Sequence, residues 1–139
     1  GTTCGDIMTT DLITVRPGTS LPKAARLFCS QAIKSLPVVE EDMRLQGLLL
    51  QADLVRIVAT HDRPAARLQR SQRRTVSDVM RSADDTVTDS MPVGVLLNRL
   101  AVQGSEVVPV TRKGRLVGIL TRSDILRLLL AGSDERSAA

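Results

Sequence analysis

The chain has 139 residues, of which 42% are hydrophobic and 24% are charged, and its formal net charge is +4. A chain of this length forms one compact domain or two small interdependent ones, and no stretch approaches the roughly 18 uninterrupted apolar residues of a membrane helix. A single His and two cysteines outside any Cys-x-x-Cys spacing offer almost no ligands for zinc, so we predict no metal site and a reduced, cytoplasmic setting.

The first half of the chain predicts a strand, a helix, two strands and a second helix. The first helix follows a Pro17-Gly18 turn, is capped by Thr19 or Ser20, and carries Phe28 on its apolar stripe. We therefore interpret Phe28 as a core residue. The five predicted elements lie at about residues 12–15, 20–33, 36–39, 45–50 and 52–59.

A basic stretch separates the two halves, with arginines at positions 63, 67, 70, 73 and 74. We favour a solvated connecting helix over an anion-binding patch here, because runs of charge usually form exposed faces. Nucleic-acid binding is a weaker hypothesis, since single-strand binders stack bases on aromatic side chains and Phe28 is the only aromatic residue. The second half predicts the same order of elements, at about residues 86–88, 93–102, 107–111, 116–120 and 123–130.

The two halves are copies of one unit. Asp6-Ile7-Met8 recurs 72 positions later as Asp78-Val79-Met80 (80 − 8), and further along the copy Asp53 matches Asp124 at an offset of 71 (124 − 53). Neither half carries enough apolar surface for a good core alone, so the copies should pack together and form a ligand-binding cleft. The predicted organisation is a first repeat, a basic linker, a second repeat and a polar tail at residues 1–62, 63–75, 76–132 and 133–139.

Residues 118–124, with the sequence GILTRSD, carry the clearest chemical signal. A buried strand ends at Thr121 and a helix begins, with Asp124 three positions later. Free N–H groups and the positive end of a helix dipole favour an anion at such a place. The Thr hydroxyl can bind a phosphate, and an ionised Asp can accept hydrogen bonds from both hydroxyls of a ribose.

A structural interpretation of the same residues has equal standing. Thr-x-x-Asp before an apolar run is also a capping-box pattern, which implies no ligand. The two interpretations are compatible, because a phosphate can replace or supplement the cap.

The duplicated set of motifs resembles the cystathionine β-synthase (CBS) domain pair. The set consists of the Asp-Ile/Val-Met opening, the Pro-Val strand and the Gly-apolar-apolar-Thr-x-x-Asp segment, and the resemblance covers residues 5 to 131. It implies an α+β fold of tandem β-α-β-β-α repeats packed with pseudo-twofold symmetry, often with further dimerisation. It also implies adenosine-containing ligands in clefts to which both repeats contribute.

The resemblance assigns one cleft to residues from both repeats. Asp124 would hold the ribose, Thr121 and Lys34 would face phosphate, and the apolar side chains that flank the base would come from Ile13 and Ile33. The full predicted nucleotide site comprises Ile13, Ile33, Lys34, Gly118, Ile119, Thr121, Ser123 and Asp124.

The reciprocal cleft departs from the family pattern. Leu50 replaces the Thr, which leaves Asp53 as a weak second site, and Asp85 and Glu106 stand where the other cleft has Ile13 and Lys34. Two carboxylates near a phosphate position repel an anion. We therefore expect one competent site per chain, although Asp53 remains open to an uncharged adenosine moiety.

The resulting expectation is a regulatory, non-enzymatic module that binds an adenine nucleotide and changes the orientation of its repeats. No catalytic motif is present in the sequence. We expect AMP, ADP or ATP as the ligand, with S-adenosylmethionine second, a homodimer, no nucleic-acid partner and no membrane insertion. The alternatives are a ligand-free dimerisation module, or a cytosolic regulatory fragment of a larger membrane protein or enzyme; the Gly at position 1 suggests an excised piece.

Overall fold

The computed structural model describes residues 1–59, 74–103 and 106–138. Four of the five linker arginines, at positions 63, 67, 70 and 73, lie outside this part, and so does His61. A 3-10 turn spans Val76–Asp78. The helices and strands are α1 (Cys4–Ile7), α2 (Leu21–Gln31), β1 (Ser35–Val39), β2 (Leu45–Leu50), α3 (Gln51–Ala59), β3 (Val87–Thr88), α4 (Val93–Gln103), β4 (Val107–Arg112), β5 (Arg115–Thr121) and α5 (Arg122–Ala138).

The predicted α+β fold with two repeats is confirmed, and the residues group into two compact units. The central unit consists of residues 13–84, and the terminal unit combines residues 1–12 with residues 85–139. The segment that opens each repeat in sequence is therefore part of the compact unit of the other repeat. We call these segments the first leader (residues 3–9) and the second leader (residues 75–81).

The central unit is built on the antiparallel pair of β1 and β2. Residues 36–39 of β1 are all buried, whereas in β2 buried and partly buried residues alternate. Val15 adds a parallel bridge to Val38 on one side of this pair, and Leu48 bridges to Arg81 of the second leader on the other. Ser20 caps α2, as predicted, by accepting a hydrogen bond from the N–H of Lys23 at 3.3 Å. The core contains Val15, Leu21, Ala24, Phe28, Leu36, Val38, Leu49, Leu54 and Val76.

The terminal unit repeats this plan with matching register. The order of its sheet is β3-β4-β5, parallel and then antiparallel, and Thr9 of the first leader bridges to Ile119 on the outer side of β5. Its core contains Cys4, Val87, Leu96, Val108, Val110, Leu120 and Ile125. Burial raises the pKa of the Cys4 thiol above its usual range.

Equivalent residues of the two repeats are 72 positions apart before the hairpin turns and 71 positions apart after them, so the second repeat lacks one residue in its turn. Five residues, 40–44, separate the paired residues Val39 and Leu45, whereas four residues, 112–115, separate Thr111 and Leu116. The shorter turn places Lys113 and Gly114 at φ values of 54° and 80°. Two consecutive positive φ values are typical of the tight turn that joins antiparallel strands with the usual twist.

Each leader packs closely on a glycine of the strand beside it. A Cβ on Gly47 would lie 2.6 Å from the carbonyl oxygen of Arg81 and 2.8 Å from the Met80 sulfur. A Cβ on Gly118 would overlap the sulfur of Met8. A side chain at either position would force the opposing leader to shift, through its backbone at Gly47 and through the Met8 side chain at Gly118.

Four features differ from the sequence-based expectation. The strand expected at residues 12–15 reduces to the single bridge of Val15, and the last helix runs to Ala138 instead of ending near residue 130. Apolar periodicity stops before this helix does, because the residues after Leu130 are mainly small or polar. The short helix α1 and the turn Val76–Asp78 were not predicted, because four or fewer residues carry no detectable period.

Candidate functional site

Two buried carboxylates occupy equivalent positions in the two units. Asp53 and Asp124 lie in the first turns of α3 and α5, directly after β2 and β5, and are 8% and 4% exposed. A buried charge must be paired or hydrogen-bonded to be tolerated. The partners of each carboxylate therefore determine what it can bind.

Asp124 closes the start of α5 together with Thr121. Its Oδ2 atom accepts hydrogen bonds from the backbone N–H of Thr121 at 2.9 Å and from the Thr121 hydroxyl at 3.2 Å. The N–H of Asp124 donates to the Thr121 hydroxyl oxygen at 3.4 Å. This reciprocal pair is a capping box, so the structural interpretation of Thr-x-x-Asp is confirmed. The ligand-binding interpretation stays a prediction.

The other carboxylate oxygen of Asp124 faces the first leader. Oδ1 accepts a hydrogen bond from the Thr9 hydroxyl at 3.0 Å, and it also contacts the guanidinium of Arg127, whose side chain is 70% exposed. Two backbone hydrogen bonds with Ile119, of 2.8 and 3.0 Å, hold Thr9 in place. Asp124 is thus surrounded mainly by neutral donors and by one solvent-exposed cation.

Asp53 has a different set of partners. Arg81 donates from Nε to Oδ2 at 2.6 Å and from its NH2 group to Oδ1 at 2.8 Å, and Arg56 donates to Oδ1 at 3.2 Å. The hydrogen bonds from Arg81, opposed by burial and reinforced by the positive charges of both arginines, lower the pKa of Asp53 below its usual range. The carboxylate is therefore ionised and doubly paired at neutral pH.

A cleft of about 390 Å³ adjoins Asp53 within the central unit. This volume lies in the range of about 300 to 1,000 Å³ that small-molecule sites occupy. Arg81, which is paired with the carboxylate of Asp53, is one of the residues that line the cleft. The lining residues are Asp53, Arg56, Ile57, Asp78, Val79 and Arg81.

The remaining predicted site residues are divided between the two units. In the central unit, Ile13 and Ile33 are partly buried against the core, and Lys34 is exposed. In the terminal unit, Gly118 and Ile119 lie on β5 in the same short segment as Thr121 and Asp124. The exposed Ser123 lies in the first turn of α5, next to its first residue, Arg122.

The two acidic residues expected to weaken the reciprocal cleft are both exposed. Asp85 precedes β3, and the Glu106 carboxylate lies 3.9 Å from the guanidinium of Arg122. An exposed ion pair of this length is strongly screened by water and salt.

Sequence reasoning missed the side chains that hold the aspartates, above all Arg81 and Thr9. A signal was present: the two residues are 72 positions apart (81 − 9), directly after the methionines of the repeated motif. The two repeats therefore carry a neutral and a charged residue at equivalent positions. This difference in charge is visible in the sequence, but only the structure shows that both side chains reach the aspartates.

The comparison with known families decides the classification. The sequence profile of the CBS domain matches twice, over residues 4–60 and 76–131. The chain belongs to the CBS domain family. Its two repeats form the CBS pair that the sequence motifs resemble.

Relatives with this fold include proteins that bind adenosine compounds. A CBS domain-containing protein of Dictyostelium discoideum is 32% identical over 128 residues, covering 89% of this chain and 88% of the relative. A structure of CBSX2 in complex with AMP superimposes with a TM-score of 0.82 at 28% identity, covering 96% of this chain and 99% of CBSX2. The CBS domain pair of MJ0100 in complex with 5′-methylthioadenosine and S-adenosylmethionine has a TM-score of 0.75 at 26% identity, covering 94% and 98%.

Several other curated relatives are much longer than this chain, which spans between 14% and 42% of their length. Some of them carry the names of enzymes, so this chain corresponds to a part of those proteins. None of the helices in the described part of the chain has the length and hydrophobicity that crossing a bilayer requires.

Proposed function

We propose that this chain is a regulatory module that binds an adenosine-containing ligand through Asp124 and performs no chemistry itself. The observation that carries the proposal is the buried Asp124 carboxylate at the junction of β5 and α5. Family membership and the AMP, methylthioadenosine and S-adenosylmethionine found on similar CBS pairs support the ligand class.

In this proposal the carboxylate of Asp124 accepts hydrogen bonds from the two hydroxyls of the ribose, and Thr121 and Ser123 face the phosphate. The roles of Lys34 at the phosphate and of Ile13 and Ile33 at the base rest on the family resemblance alone and stay predictions. AMP, ADP and ATP are the first candidates, and S-adenosylmethionine is the next.

Ligand binding has to compete with the contacts that Asp124 already makes. The capping hydrogen bonds to Oδ2 can remain, because each carboxylate oxygen accepts more than one hydrogen bond. On Oδ1 a ribose hydroxyl would take the place of the exposed Arg127 or of the Thr9 hydroxyl. Both exchanges replace one hydrogen bond by another, so the site needs no refolding to accept a ligand.

Calorimetric titration of the ligand-free protein with adenosine, AMP, ADP, ATP and S-adenosylmethionine tests the proposal. We expect one equivalent of ligand per chain. Asp124→Asn should weaken binding by about 1.5 to 3 kcal/mol, which is about 10- to 150-fold in Kd, because it removes hydrogen bonds to a charged acceptor.

Asp53→Asn is the matched control, since it changes the equivalent buried carboxylate of the other unit. We expect it to alter the Kd by less than threefold. Equal losses from both variants would contradict the one-site asymmetry, and no heat with any adenosine compound would contradict the proposed function.

A regulatory role follows if the ligand prefers one arrangement of the repeats over another. The signal can then be no larger than the difference in ligand affinity between the two arrangements. The longer relatives suggest that the effector is part of the same polypeptide or a separate partner. The unpaired cysteines, Cys4 and Cys29, fit a cytoplasmic location.

A second candidate function is association of two copies. The helix α5 exposes three leucines on one face, Leu126, Leu129 and Leu130, with 58%, 54% and 62% of each residue accessible. Residues spaced by three and four positions share one helix face, and an apolar face of this kind is a common contact between proteins. Sedimentation of the ligand-free protein distinguishes the two candidates: a dimer that binds no adenosine compound would favour association alone.

A further inference from the structure

We propose that the last residue of each leader decides whether the buried aspartate of its unit can accept a ribose. Arg81 occupies both carboxylate oxygens of Asp53 as a tethered cation and keeps a ligand from them, whereas Thr9 leaves Asp124 exchangeable. The inference rests on the proposed function and adds to it the residue that makes two copies of one site unequal.

The two leader residues are held in equivalent ways. Arg81 exchanges backbone hydrogen bonds of 2.9 Å in both directions with Leu48 of β2. Thr9 does the same with Ile119 of β5, at 2.8 and 3.0 Å. Leu48 and Ile119 are themselves equivalent, at the offset of 71 (119 − 48). The backbone therefore presents the side chain of either residue to the aspartate of its own unit.

The contacts of Arg81 match those that a ribose would need. Its Nε and NH2 donors reach the two different oxygens of Asp53, at 2.6 and 2.8 Å. A ribose diol also binds a carboxylate through two adjacent donors, so Arg81 and the diol compete for the same oxygens. The guanidinium carries a charge and a fixed fork geometry, which makes the bidentate pair stronger than hydrogen bonds from neutral hydroxyls.

Thr9 presents a weaker obstacle at Asp124. It contributes one neutral hydroxyl, at 3.0 Å from Oδ1, and none of its contacts in the described structure involves Oδ2. A hydroxyl rotates freely about its C–O bond, so it can turn towards an incoming ribose oxygen instead of leaving the site. Thr9 is a positioning residue in this scheme, because it acts on the ligand through Asp124.

The other arginines near the aspartates do not explain the difference. Arg56 and Arg127 each contact the aspartate three positions earlier, and both side chains are 70% exposed. Because each unit has one such arginine, these contacts cannot account for a difference between Asp53 and Asp124. A second difference next to the aspartates is Leu50 in place of Thr121, which removes a hydrogen-bonding group from the central unit without blocking Asp53.

Exchange of the two leader residues tests the inference, with uncharged adenosine as the probe so that repulsion of a phosphate plays no part. Thr9→Arg should weaken adenosine binding at least tenfold, because the new guanidinium can pair with Asp124. Thr10→Arg, which adds the same charge at the exposed neighbouring position, should change binding by less than threefold.

The reciprocal variant opens the other aspartate. Arg81→Thr should raise the stoichiometry from one to two equivalents of adenosine per chain, and the added equivalent should disappear in Arg81→Thr/Asp53→Asn. Arg44→Thr, which removes an exposed arginine of the same unit away from Asp53, should leave the stoichiometry at one. Thermal unfolding of every variant establishes that it is folded at the temperature of the titration.

A measurement without ligand separates this inference from the proposed function. NMR titration of the Asp53 carboxyl carbon should show a pKa below the usual range in the wild type and a rise towards that range in Arg81→Thr. Identical titration of Asp53 in both proteins would overturn the inference even if nucleotides bind. So would an Arg81→Thr variant that binds one equivalent, or a Thr9→Arg variant with wild-type affinity. Failure of the wild type to bind any adenosine compound would overturn the proposed function instead.

Discussion

The central and terminal units share a register of strands, a hairpin and a buried aspartate, yet the surroundings of the two aspartates differ in charge. Asp53 is held by the guanidinium of Arg81, while Asp124 is held by the hydroxyls and the N–H of Thr9 and Thr121. The duplicated fold therefore keeps a carboxylate at the same position in both units, but the groups that occupy its oxygens differ. The difference arises from side chains on the leaders and at the helix start, and the sheets are closely similar.

The largest effect that distinguishes the units should come from the two glycines under the leaders. In Gly47→Ala the new methyl group meets the backbone carbonyl of Arg81, whereas in Gly118→Ala it meets the flexible side chain of Met8. Overpacking costs about 1 to 3 kcal/mol, and we expect Gly47→Ala to lie near the upper end of that range and Gly118→Ala near the lower end. Urea unfolding of both variants measures the difference.

The matched control for the glycine pair is Gly94→Ala, since a Cβ at that helical position has open space around it. It should be neutral or stabilising. A Gly118→Ala variant that loses more stability than Gly47→Ala would show that Met8 cannot move, and that the two leaders are packed less alike than the structure indicates.

A smaller effect should follow from removal of the cap that the terminal unit has and the central unit lacks. Thr121→Ala deletes the hydroxyl that pairs with the N–H of Asp124, and loss of such a cap costs about 0.5 to 2 kcal/mol. Thr121→Ser keeps the hydroxyl and should retain most of the stability. Thermal and urea unfolding would check both, and equal losses from the two variants would mean that the methyl group, not the cap, stabilises the helix.

The smallest effect concerns the pH dependence of stability at Asp53. Because the folded-state pKa of Asp53 is lowered, its contribution is fully present above the unfolded-state pKa and is lost as the pH falls through the folded-state pKa. The difference in unfolding free energy between wild type and Asp53→Asn should therefore be constant near neutral pH and shrink under acid conditions. The effect is small since Arg81 is 56% exposed and the pair is screened by water.

Urea unfolding at a series of pH values, at constant ionic strength, measures this dependence. A difference that grows as the pH falls would contradict the lowered pKa. Added salt should reduce the difference at neutral pH, as expected for a partly exposed ion pair.

Much of the architecture was predictable because it depends on local patterns. The apolar strands, the hairpins and the capped helix α2 were all placed within a few residues from alternation, turn residues and caps. The repeat revealed the equivalence of Asp53 and Asp124, and Thr-x-x-Asp predicted the cap at Thr121. The length of the first strand was overestimated: a strand was expected over residues 12–15, but only Val15 forms a bridge, to Val38.

The sequence alone determined that the chain is a tandem repeat with an aspartate at the equivalent position of each copy, because periodicity and spacing are properties of neighbouring residues. Only the tertiary structure decided that each leader joins the compact unit of the other repeat, and that Arg81 and Thr9 reach aspartates 28 and 115 positions away. Such pairing depends on packing between distant segments, which no local pattern encodes. The charge of one residue at the end of each leader is therefore visible in the sequence, but its consequence for the aspartate is not.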